Sequence, residues 1–139
     1  MVSDSRPKLL RAGRALGVES PRPGACHGPP ELPAYSYMTL LSWVALNADR
    51  AAAGLASFID IEGYYATSLE LAAHLREAHP GMPEEVIGYF GESDGRRLGE
   101  EALALADTGL AEGADPRVAV HVARLTDEAL GQFWSATAR

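Results

Sequence analysis

Proline placement constrains this chain more than any other feature. Between Pro33 and Pro80 there is no proline, and the apolar residues recur at helical rather than strand spacing. This predicts a helix from after Pro33 to about Asn47, through Tyr35, Met38, Leu41 and Leu46. A long second one runs from Asp49 to about His79, where Pro80-Gly81 stops it. Pro83 followed by Glu84-Glu85 suits a first helical turn, because proline tolerates the first position and acids favour the positive end of the helix dipole. That segment extends to Gly113, either continuous or broken at Gly91 to Gly95, and Asp115-Pro116 caps a last helix reaching Ala138. Upstream, Arg6 to Val18 forms a short helix, and the Pro/Gly-dense stretch Ser20 to Pro33 is an irregular strap or linker. No useful strand alternation and no repeat is present. The expected fold is all-α: a compact bundle of about five helices over residues 34–139, preceded by the helix and strap of residues 1–33.

Charge narrows the partners. A formal net charge of −7 repels phosphate backbones and anionic lipid heads, so nucleic acids and membrane surfaces are not expected partners. No stretch of eighteen apolar residues occurs, and the N-terminus lacks the continuous apolar core of a secretory signal. One cysteine, Cys26, permits no internal disulfide, and a cytoplasmic location is expected.

The polar residues that fall on apolar stripes are the functional candidates. On the long helix, Leu55, Phe58, Ile59, Ala66, Leu69 and Ala73 form one stripe with Glu62 at its middle, while Asp60, Glu70 and His74 lie off it. A carboxylate facing a core must be paired, hydrogen-bonded or bound to a metal, so Glu62 reads either as a ligand or acid/base group or as a structural hydrogen-bond acceptor. Asp94 shares a stripe with Ile87, Phe90, Leu98 and Leu105 if that helix is continuous, and is a turn or N-cap residue if the glycines break it. Gly91, Gly95 and Gly99, spaced by four, either admit a close neighbour or serve as turn glycines. On the last helix, Val118, Val122, Leu125, Ala129 and Phe133 form the expected buried stripe, bordered by His121 and Glu128. Cys26-His27 is too isolated for a metal site, and His74 and His79 read as surface residues. Trp43, Trp134 and the tyrosines read as core and rim packing. No hydrolase, metalloprotease, phosphate-loop or dinucleotide motif is present.

From Pro33 onward the order of elements resembles the C-terminal part of the heme-oxygenase-like helical superfamily, which includes heme oxygenases, thiaminase-II-type proteins, the PQQ-synthase group and non-heme diiron oxidases. Four segments carry the likeness: LPAYSYMTLL, LASFIDIEGYYATSLELAAHL with Glu62-Gly63, EEVIGYFGESDGRRLGEEALAL, and VARLTDEALGQFWSATA. The resemblance implies a small-molecule-metabolism protein, of the secondary-metabolism kind, with an inward Glu62 in a helix-lined pocket. It implies an oxidoreductase using iron, with Glu62, Asp94 and Glu128 as catalytic groups and Glu62, Asp94 and His121 as metal ligands. The chain departs from the iron-binding pattern after Phe90, where Ser93, Arg97 and Glu100 stand in place of histidines and an acid, and Leu130 stands where thiaminase-like members have a Glu. The alternative is a non-catalytic member that binds a partner protein or a small ligand, or assembles with its own copies.

Overall fold

The computed structural model describes residues 5–18, 32–91 and 95–137. Among these residues every regular element is a helix: α1 (Ser5–Ala15), α2 (Leu32–Asn47), α3 (Arg50–Ala78), α4 (Glu84–Gly91), α5 (Gly95–Ala111) and α6 (Pro116–Thr137). The all-α class follows the sequence reading; α4 ends at Gly91 and α5 begins at Gly95, and the residues between them, where a break was weighed, lie outside the described residues. The strap, with Cys26 and His27, lies outside the described residues.

Local chemistry sets the helix ends. The Asp49 carboxylate accepts a hydrogen bond from the Ala52 amide at 2.9 Å, and Asp115 accepts one from the Arg117 amide at 2.8 Å, so α3 and α6 each start on an aspartate cap. At the end of α5 the amides of Gly113 and Ala114 return to the carbonyls of Leu110 and Gly109, which requires the left-handed φ of +97° that Gly113 adopts.

The contacts divide the chain into two units that do not follow chain order. One contains α1, the second half of α3 from Tyr65, and α4, with α1 packed on α4. The other contains α2, the first half of α3 to Tyr64, α5 and α6, with α2 packed on α6. Its core is small: Val44, Ala51, Ala52, Ala56, Ala119 and Val122, flanked by Leu40, Leu55 and other partly buried residues.

Small side chains decide which helix faces are inside. On α6 the buried residues are Ala119, Val122, Ala123, Thr126 and Leu130, whereas Val118 and Leu125 are exposed. The expected stripe on this helix is therefore rotated by somewhat under one residue step of about 100°. On α3 the expected stripe divides: Leu55, Phe58 and Ile59 are half-buried beside the buried Ala51, Ala52 and Ala56, whereas Ala66, Leu69 and Ala73 are exposed. Glycine and alanine let helix axes come close together, and that closeness outweighs the larger transfer energy of the leucines. A Cβ placed on Gly54 would lie 2.5 Å from the Ala106 backbone nitrogen, so α3 and α5 touch backbone to backbone.

In the α1-containing unit, Ser68 is 1% exposed and its hydroxyl makes no hydrogen bond among the described residues. An unmet buried hydroxyl costs about 1–3 kcal/mol. Ser68→Ala is therefore expected to stabilise the protein by about 1 kcal/mol or more in urea unfolding. A loss of stability on that substitution would mean that the hydroxyl is hydrogen-bonded after all.

Candidate functional site

The most perturbed polar pair lies in the α2-containing unit. Tyr37, buried on the inner face of α2, donates its phenol hydrogen to the Asp60 carboxylate on α3. The Tyr37 ring lies 5.1 Å from Phe133, which is 5.3 Å from Trp134, and Trp134 stacks on Tyr64 at 5.9 Å. Tyr37 of α2 thus meets the α3 carboxylate through its hydroxyl and the α6 rings through its own ring. Burial pushes the Asp60 carboxyl above the usual carboxylate range, and the Tyr37 hydrogen bond opposes that rise. Tyr37 is pushed well above the ordinary tyrosine value, first by burial, then by its hydrogen bond to Asp60 and by the nearby negative charge. Tyr37 therefore stays protonated as a donor, and Asp60 holds its proton more readily than a surface aspartate. Such a pair can accept or retain a proton, or can fix α2 against α3.

Asp60 occupies the place that sequence periodicity gives to Glu62. Glu62 is exposed, because the Ala52 and Ala56 side of α3 faces inward and carries Asp60 with it. The Glu62 Oε1 still covers Gly99 of α5, at 3.3 Å from where a Cβ on that glycine would stand, and Phe58 lies beside it at 3.5 Å. The close neighbours that Gly99 admits are thus two α3 side chains. Gly91 faces Ala72 and the Arg76 guanidinium. His121 and Glu128 are both exposed on α6, and Asp94 lies outside the described residues. Among the described residues no three His, Cys, Asp or Glu side chains converge as a metal-holding group. The signal for Asp60 was its spacing of four and eight from Ala56 and Ala52, legible only once alanine is given the weight of a core residue.

A cleft of about 300 Å³ between α1 and α4 is lined by Lys8, Arg11, Glu84, Glu85, Gly88 and Tyr89. Bases and acids face it together, and it encloses no apolar chamber.

The outer face of α2 is of a different kind. Leu32, Tyr35, Met38, Trp43 and Leu46 are all exposed, Trp43 by 49% and Leu46 by 83%. None of the 16 residues of α2 is charged. Its exposed polar side chains turn back on the helix: Ser36, Thr39, Ser42 and Asn47 each donate to the carbonyl four residues earlier, at 2.7, 3.0, 2.9 and 2.9 Å. The face consequently asks for few hydrogen bonds from outside. No described helix is long and apolar enough to cross a membrane.

No protein-family model matches this chain, and neither a curated protein nor a solved structure matches it.

Proposed function

We propose that this protein is a non-catalytic docking module that works by presenting the outer face of α2 to a protein partner. The observation that carries the reading is the uncharged α2 surface, with Tyr35, Met38, Trp43 and Leu46 side by side in water. Contiguous apolar surface rimmed by polar residues marks interaction sites, and exposed tryptophan and tyrosine are enriched where binding energy concentrates. The test is a Tyr35→Gln, Trp43→Gln, Leu46→Gln triple variant, with bis-ANS fluorescence measured at nanomolar protein. Dye binding is expected to fall severalfold with helicity unchanged, since surface substitutions usually shift stability by only about 0.5 kcal/mol each. Unchanged dye binding would mean the face is already covered, and the docking reading would fail.

A second reading rests on the Tyr37–Asp60 pair. It is the acid/base or metal-dependent oxidoreductase of small-molecule metabolism that the heme-oxygenase-like resemblance implies, with Asp60 rather than Glu62 as the inner carboxylate. Stoichiometric iron in anaerobically purified protein would shift the weight to this reading.

A further inference from the structure

We infer that the partner seated on α2 is a second copy of this chain, its α2 antiparallel to the first about a two-fold axis at Thr39. The inference rests on the docking reading and names its occupant.

Four of the seven residue pairs of α2 mirrored about Thr39 are alike in type. Met38 mirrors Leu40, Ser36 mirrors Ser42, Tyr35 mirrors Trp43, and Leu32 mirrors Leu46. In an antiparallel pair centred on Thr39, each residue meets its mirror position on the other copy, which is the self-complementarity a two-fold contact requires. Seven exposed residues of α2 form such a set, Leu32, Tyr35, Ser36, Thr39, Ser42, Trp43 and Leu46, while exposed Met38, Ala45 and Asn47 stand outside it. Leu32 then meets Leu46 of the partner subunit, and Tyr35 meets Trp43 of the partner subunit. The inward residues Tyr37 and Val44 take no part, being committed to the chain's own core.

Size and polarity fit the same arrangement. The middle of the face is small, with Ser36, Thr39 and Ser42, and the ends are bulky. Small central residues let two helices approach, while bulky ends bracket the crossing. Because the three hydroxyls already bond their own carbonyls, close approach strands none of them. Electrostatics then selects the face. Two chains of net charge −7 repel one another, and α2 brings no charged side chain to the contact, whereas the exposed residues of α3, α5 and α6 include many. A 16-residue helix is about 24 Å long. That length supports a contact at the small end of specific interfaces, about 1,000 Å² in total.

The test uses the full chain. Sedimentation velocity from about 1 to 200 µM, a range that resolves micromolar association, is expected to show the mass rising from the 14.8 kDa of one chain to twice that value. Thr39→Arg places two like charges on the axis and is expected to leave monomer throughout, with helicity unchanged. Orientation is read by cysteine crosslinking in a Cys26→Ser background. Thr39→Cys is expected to crosslink to itself. Leu32→Cys alone is not, since two such sites lie at opposite ends of an antiparallel pair, but mixed with Leu46→Cys it is. A chain monomeric at every concentration, a dimer indifferent to Thr39→Arg, or self-crosslinking of Leu32→Cys would each overturn the inference. Monomer that still loses dye binding in the triple glutamine variant would spare the docking reading and reject only this occupant.

Discussion

Gly109→Val is expected to remove at least about 3 kcal/mol of stability, enough to lower the melting temperature by roughly 10 °C. Gly109 is buried in α5, and a Cβ there would run into the Ala51 backbone nitrogen and the Arg50 carbonyl carbon at the start of α3. Those obstacles are main-chain atoms, which cannot swing aside as a side-chain end can. Even Gly109→Ala should destabilise, although alanine in an ordinary helix interior gains about 1 kcal/mol over glycine. Gly131, in α6 with open space around it, is the control, and Gly131→Ala should stabilise by about that amount. Urea unfolding of the three variants checks the contrast. If Gly109→Ala proved as stable as the parent, α3 and α5 would not make the close approach described.

Tyr37→Phe is expected to cost about 1.5–3 kcal/mol, the range for a hydrogen bond to a charged acceptor, because it leaves Asp60 without its donor. Asp60→Asn should behave differently. Its amide oxygen can still accept from Tyr37, and the half-buried charge is gone, so at neutral pH its stability should match or exceed the parent's. The pH dependence separates the two effects. Because the folded pKa of Asp60 is raised, the folded state holds more protons than the unfolded state between the two pKa values. The contribution of Asp60 is therefore fully present below the ordinary aspartate value of about 3.9 and is lost as pH rises through the folded value. The parent should gain on Asp60→Asn as pH falls from 7 toward about 4. A difference that widened in favour of the variant on acidification would contradict the burial of this carboxylate.

The boundaries of this fold were readable from the sequence because they depend on local chemistry. Pro80-Gly81 ends α3 and Asp115-Pro116 starts α6, each through restrictions on one or two residues. The inner faces were not readable in the same way. Periodicity weighted by side-chain size pointed to Leu69, Val118 and Leu125, while the packing chose Ala52, Ala56 and Ala119. The difference comes from axis separation, a property of two helices together that neither sequence displays alone. This is also why Asp60 took the inward place expected for Glu62. Asp94 lies outside the described residues. The apolar character of α2 was plain, but Tyr35 and Trp43 on its outer face were read as core and rim packing.

The alanine-rich interior has a thermodynamic consequence. Alanine side chains shed little apolar area when they are buried, so unfolding this chain newly hydrates less hydrocarbon than unfolding a leucine-cored protein of equal length. The heat capacity of unfolding scales with that hydrated area. A small heat-capacity increment flattens the curve of stability against temperature, so what modest stability the packing supplies changes slowly on warming and on cooling alike.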